Sequence, residues 1–221
     1  MRFRNRTDAG KKLALALKHY RNQDGVVYAL PRGGVVLGAE VAQALRLPLD
    51  LIIPRKVGHP MSPEYAICAV VESGEKVCNE WEVARVDPQW FQREVEVQQL
   101  EARRRRELYL KDRAPVPVTG RTAIIVDDGI ATGLTMEAAI REARRRRPGR
   151  VVVAIPVVPG DTAARLRRQV DELVALDIPE YYLGAVGAYY DEFPQITDAE
   201  VIALLEQAPA AVAEKHENRR A

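Results

Sequence analysis

Cysteine is nearly absent from this chain: two in 221 residues, Cys68 and Cys78. Two thiols at that spacing are too few for a zinc site. They could pair, but a chain without an export signal belongs in a reducing compartment, so the pairing stays open. Long hydrophobic runs are missing too, which argues against membrane spans. Met1-Arg2-Phe3-Arg4 leads into a polar stretch rather than a signal-peptide core, and the cytoplasm is the expected location. An excess of one charge is also lacking. The 33 Lys and Arg against 31 Asp and Glu leave a net +2, so the protein is not globally basic. Aromatic residues make up only 6%, which makes any local concentration of them informative. There is no internal repeat. What is present is 47% hydrophobic residues, enough for a substantial core, in a length that fits one domain spanning residues 1–221.

Arginine is clustered at Arg103 to Arg106 and at Arg144 to Arg147. Such runs can mark a nucleic-acid patch. Here both fall on helical patterns, with Glu101 placed to reach Arg105 and Glu142 to reach Arg146 at i,i+4. The second run also precedes Pro148-Gly149, where cations complement a helix C-terminus. Solvated helix faces are therefore expected, and no nucleic-acid partner.

Thr7 reads as the cap of a helix over residues 8–20, with Leu13, Leu17 and Tyr20 on one face. A strand over 26–30, a Pro31-Arg32-Gly33-Gly34 break, a helix over 35–45 and a strand over 49–53 follow. Residues 54–63 contain three prolines and Gly58 without periodicity, and predict a long functional loop. Residues 66–71 and 75–79 predict a hairpin turning at Ser73-Gly74. Asp87 caps a long helix with Pro88 in its first turn, reaching residue 111 and exposed enough to serve a homodimer. After a linker at 115–120 come strands at 122–126, 151–158 and 173–176, with helices from Met136 and over 162–170. Thr197-Asp198-Ala199-Glu200 has the form of a capping box opening a last helix. The tail from Pro209 should fray. Strands alternating with helices predict an α/β fold: a parallel twisted sheet covered on both faces, with ligands at the carboxyl ends of its strands. Asp127, Arg32 and Arg55 each follow a strand end, so all three should collect at that edge.

The most informative stretch is 122–136, Thr-Ala-Ile-Ile-Val-Asp-Asp-Gly-Ile-Ala-Thr-Gly-Leu-Thr-Met. A buried strand ends on two acids, Asp127 and Asp128, then a loop of small and hydroxyl residues runs into a helix N-terminus. Free backbone N–H groups and the helix dipole make that loop an anion nest. Two carboxylates beside it would repel a bare phosphate, but they suit a ligand with hydroxyls next to its phosphate, as in ribose 5-phosphate.

This stretch resembles the phosphoribosyl pyrophosphate (PRPP) motif of type I phosphoribosyltransferases: apolar strand, acid pair, then x-x-x-Thr-Gly-x-Thr. The resemblance implies that Asp127 and Asp128 accept the ribose hydroxyls. It implies that Gly129, Ile130, Ala131, Thr132, Gly133, Leu134 and Thr135 hold the 5-phosphate. Pro31, Arg32, Gly33 and Gly34 resemble the pyrophosphate loop of purine-salvage members, which often carries a non-proline cis peptide at a pair placed like Arg32-Gly33. Glycines there let backbone N–H groups approach a diphosphate, and Arg32 adds charge. Arg55-Lys56-Val57-Gly58, followed by Pro60, is similar to the flexible catalytic loop of adenine phosphoribosyltransferases, where adjacent cations close over pyrophosphate and exclude water. His59 reads as incidental.

The family uses Mg²⁺, held mainly by PRPP rather than by direct protein ligands. Enzymes for 6-oxopurines place an Asp before the Thr-Gly pair, and Ala131 stands there, as in adenine- and uracil-type enzymes. Glu72, in a turn resembling the Glu-x-Gly of adenine enzymes, is a candidate base. A core over about 7–177 would be topped by a hood over about 178–207, leaving the tail 208–221. The hood concentrates aromatics, Phe193 among them, with Tyr182, Tyr190 and Asp191 as the acceptor-pocket candidates, although packing is the expected role for most. The implied activity is transfer of phosphoribose from PRPP to a small nitrogenous acceptor, a nucleobase by preference. The rival is a non-catalytic PRPP sensor on the same scaffold. Retention of Arg55-Lys56 and the lack of a visible helix-turn-helix extension favour the enzyme.

Overall fold

The structure, a computed structural model, describes residues 1–111 and 113–209. The first helix, α1 (Arg6–Ala16), is capped by Asn5 rather than Thr7. Asn5 has extended backbone and its side chain accepts from the Asp8 N–H at 3.0 Å, which leaves Thr7 inside the first turn. A short 3₁₀ turn, Lys18–Tyr20, ends the segment. Then come β1 (Gly25–Ala29), α2 (Gly33–Leu45) and β2 (Leu49–Leu51), followed by β3 (Arg55–His59), β4 (Ser62–Val70), β5 (Lys76–Cys78), α3 (Glu80–Val83) and α4 (Pro88–Leu110). The second half runs β6 (Thr122–Val126), α5 (Leu134–Arg145), β7 (Arg150–Val157), α6 (Gly160–Arg167), β8 (Glu172–Asp177) and α7 (Asp198–Gln207). Predicted boundaries differ from these by one to three residues at most ends, where helices fray and strands lose pairing. The capping box at Thr197 and Glu200 forms as expected.

Five strands make a parallel sheet in the order β2-β1-β6-β7-β8. The central strands are apolar throughout because both faces are covered. Val27, Ala29, Ile124 and Val126 face Leu13 of α1, Leu37 of α2 and Val201 of α7. Their neighbours Val26, Tyr28, Ala123 and Ile125 face Met136 and Ile140 of α5 and Leu166 of α6.

Residues 54–63, expected as a loop, instead start a second, antiparallel sheet in the order β3-β4-β5. The prolines that hid it lie where pairing tolerates them: Pro54 before β3, Pro60 in the turn, and Pro63 at the exposed start of β4. Val57, Ile67 and Val70 of this sheet pack on Phe91 and Val95 of α4. Cys68 lies opposite Cys78 in the β4–β5 register, and the two form a disulfide.

The outward face of α4 leaves Val97, Leu100 and Leu108 exposed. Glu101 bonds Arg104 and Arg105, and Glu142 bonds Arg146, as the helical spacing required. Arg146 is nevertheless not a solvated face residue. With Arg106 it enters a charged cluster around Asp50, Glu72 and Glu142, in which Asp50 is only 3% exposed. Among the described residues no helix is long and apolar enough to cross a membrane. The tail expected to fray lies, from residue 210, outside the described residues.

Candidate active site

From β1 the chain steps to β2 on one side, and later returns to lay β6 on the other. Connections leaving β1 and β6 therefore diverge, and a crevice opens between their carboxyl ends. The β1–α2 turn and the β6–α5 loop face each other across it. The cleft has a volume of about 660 Å³. Asp127, Asp128 and the loop through Gly133 form its floor, Leu30 and Pro31 one edge, and the β3–β4 hairpin a wall. Arg6, Val186 and Phe193 close the remaining side.

Asp127 and Asp128 are half-buried side by side. Burial pushes the Asp127 carboxyl well above the usual carboxylate range, and the neighbouring Asp128 pushes it further. Burial raises Asp128 as well, but Arg6 works against this, its Nε donating to Asp128 Oδ2 at 2.8 Å. The two glycines that open α2 are fixed by these acids. A Cβ on Gly33 would sit 1.9 Å from Asp128 Oδ2, and one on Gly34 would sit 2.9 Å from Asp127 Oδ1. Only a chain without side chains there lets the turn and the acid pair meet.

Gly133, with φ of 90°, caps α5 and aims its first turn into the cleft. The N–H groups of that turn have no carbonyl partner within the helix. The loop is held from behind by α6: Thr162 Oγ1 donates to the Ala131 carbonyl at 3.3 Å, and Arg165 Nη2 to the Thr132 carbonyl at 2.5 Å. Arg165 Nε also bonds Glu137 Oε1 at 2.6 Å. With the Ala131 and Thr132 carbonyls engaged outward, the N–H groups at the start of α5 are left for an anion.

The hairpin brings Arg55 and Lys56 from β3 and Glu64 and Tyr65 from β4 to the cleft. Arg55 is half-buried, with Nε donating to Gln98 Oε1 of α4 at 3.2 Å. Burial and the nearby Arg105 lower its pKa, although a guanidinium keeps its charge.

A model of the phosphoribosyl transferase domain matches residues 4–192 of this chain. A Mycobacterium tuberculosis protein named provisionally as a phosphoribosyl transferase, Rv0571c, is 42% identical over 215 residues, covering 96% of this chain and 48% of its own length. The chain belongs to the phosphoribosyl transferase family. The crystal structure of TT1426 from Thermus thermophilus is 43% identical, with a TM-score of 0.77, covering 93% of this chain and 98% of that one. This chain spans about half the length of the curated relatives it matches.

Within this phosphoribosyl transferase fold, most motif residues meet at the cleft: Pro31, Arg55, Lys56, Asp127, Asp128, Gly129 to Gly133, and Thr135. Leu134 turns instead toward the core beside α5. Other candidates lie elsewhere. Glu72 faces Arg106 at 3.4 Å and Arg146 at 3.8 Å in the charged cluster, where burial raises its pKa, so it is not a cleft acid. The side chain of Arg32 extends toward Asp198 of α7, at 3.7 Å, rather than into the cleft. The cis peptide is Pro31–Arg32, one bond before the pair expected.

Tyr190 is buried and donates through its hydroxyl to the Asp128 carbonyl at 2.6 Å, while Asp191 is exposed and pairs with Arg2. Tyr182 stacks on Tyr189 at 5.5 Å between ring centres. None of these three lines the cleft. Sequence reasoning does not single out Arg6, Glu64, Tyr65 or Val186 as cleft residues, and it places Phe193 among hood aromatics that could stack a base, with packing the expected role for most. Reading the hairpin as paired strands would have found Glu64 and Tyr65. Nothing local marks Arg6.

Proposed function

We propose that the protein transfers the 5-phosphoribosyl group of PRPP to a nitrogenous acceptor, a nucleobase being the expected class, and releases pyrophosphate. One observation carries this reading: a pair of carboxylates and the N-terminus of α5 share the floor of one cleft. A sugar bearing a vicinal diol and a terminal phosphate satisfies both at once. In this reading Asp127 and Asp128 accept from the 2′ and 3′ hydroxyls, and residues 129–135 receive the 5-phosphate. The backbone of 31–34 would receive the pyrophosphate, while Arg55 and Lys56 draw charge off it as the C1–O bond breaks. The same carboxylates would stabilise positive charge growing on the ring.

Mg²⁺ suits such a site. It would take most of its ligands from the phosphate and hydroxyl oxygens of PRPP rather than from protein side chains. The ion would neutralise the pyrophosphate. Ala131, in place of an acid before Thr132-Gly133, favours acceptors of the adenine or uracil kind over 6-oxopurines.

The test is a screen for PRPP-dependent pyrophosphate release across nucleobases and small amines with Mg²⁺ present. Turnover with at least one base is expected. PRPP binding without turnover on any acceptor would replace this reading with that of a PRPP sensor.

A further inference from the structure

Arg6 is the least expected charge at the cleft. It is the first residue of α1, where a cation opposes the helix dipole, and the whole residue is 8% exposed. A buried charge in that place needs compensation, and it has three forms. Nε donates to Asp128 Oδ2 at 2.8 Å, Nη1 donates to the Pro194 carbonyl at 2.6 Å, and the guanidinium lies 3.6 Å from the centre of the Phe193 ring. Gly33 closes the arrangement, since a Cβ there would fall 1.9 Å from Asp128 Oδ2 and 2.9 Å from Arg6 Nε.

The backbone around Arg6 is tied down as well. Phe3 N–H donates to the Tyr189 carbonyl at 2.8 Å, Asp191 N–H to the Phe3 carbonyl at 2.9 Å, and Glu192 N–H to the Arg4 carbonyl at 2.9 Å. The same segment supplies Tyr190, whose hydroxyl holds the Asp128 carbonyl. Asp128 is thus gripped twice, at its carboxylate from the first helix and at its backbone from the hood.

We propose that Arg6 is a positioning residue for phosphoribosyl transfer, holding the Asp128 carboxylate as an anion ready to accept from the sugar hydroxyls. The inference rests on the PRPP reading above. A carboxylate has about four acceptor positions, so one bond from Arg6 braces it without using it up. The other groups facing Asp128 are Asp127, which repels its charge, Lys56 of the hairpin, which favours it, and the neutral Tyr190 hydroxyl. Burial works against the anion, so without Arg6 the acid would hold its proton to higher pH and lose its capacity to accept.

The experiment is calorimetric titration of the full chain with PRPP and Mg²⁺ between pH 6 and 9, for wild type, R6Q, R6K and F193L. R6Q should bind roughly tenfold more weakly at pH 7, and the deficit should narrow as pH rises, because a shift of one pH unit corresponds to a tenfold change. R6K, which keeps the charge but loses the planar fork and its stacking on Phe193, should fall between R6Q and wild type, with a pH profile closer to that of wild type. F193L removes the ring under the guanidinium; because Phe193 also lines the cleft, its readout is the pH dependence, which should shift as in R6Q at smaller amplitude. R6Q affinity equal to wild type, or lower by one factor at every pH, would overturn the positioning role. Should R6Q not fold, an F193L profile superimposed on that of wild type would do the same. Failure of wild type itself to bind PRPP would overturn the PRPP reading, and this inference with it.

Discussion

Two adjacent carboxylates in one cleft should make the unliganded protein less stable at neutral pH than it need be. Asp127 has its pKa raised by burial and by Asp128. Its contribution to stability is therefore full below the ordinary carboxylate pKa and is lost as pH rises through the raised value. Asp127→Asn removes the buried charge but keeps the shape. At pH 7 the melting temperature should rise by about 2–4 °C, the size of shift that ~1 kcal/mol gives a domain of this length. The gain should vanish near pH 4, while PRPP affinity falls. Melting curves for both proteins across that range check it, and a lower melting temperature at pH 7 would show that the pair is not strained. The acid pair was legible in sequence because strand, acids and loop are contiguous. Its partner Arg6 was not, being 122 residues away and at a helix position where an arginine gains nothing locally. Glu72 misled for the opposite reason. Its turn looked like a site, and only the packing of α4 and α5 reveals the two arginines that hold it.

At the scale of elements, the hairpin β3–β4 replaces the expected loop with a paired wall. Three prolines and Gly58 obscured the alternation, yet Arg55 still pairs in register with Val70 and Lys56 with Ala69. Arg55 stands at the root of the hairpin, bonded to α4, while Met61 near its tip is 87% exposed. A cation fixed at the root is suited to charge that develops late, on departing pyrophosphate. Arg55→Ala should lower kcat by about 10- to 100-fold while PRPP affinity changes less than about threefold, the pattern of an interaction made chiefly in the transition state. Single-turnover rates beside equilibrium titration separate the two. Equal losses would assign Arg55 to ground-state binding. Sequence did reveal the helix and strand order, because apolar strands between capped helices survive any local ambiguity. It could not reveal which strand ends face each other. That depends on the sheet order, set by pairings between β1 and β6 nearly a hundred residues apart.

For the whole molecule, the decisive feature is the strap of residues 3–6 laid along 189–194. Phe3 is fully buried there, its ring 5.4 Å from that of Tyr190. Phe3→Ala should cost about 3–5 kcal/mol of stability, typical of a large buried aromatic. It should also weaken PRPP binding at temperatures where the variant remains folded, because the strap delivers Arg6. Denaturant titration and calorimetry on one preparation check both, and unaltered affinity in a destabilised but folded variant would separate the strap from the cleft. The strap also fixes an order of events during synthesis. Residues 3 to 6 cannot settle until Tyr189 to Pro194 have been made, since these are their partners. A nascent chain that has already made the β6–α5 loop would hold its acids unbraced, and competence for ligand should arrive only once residues 189–194 have been made.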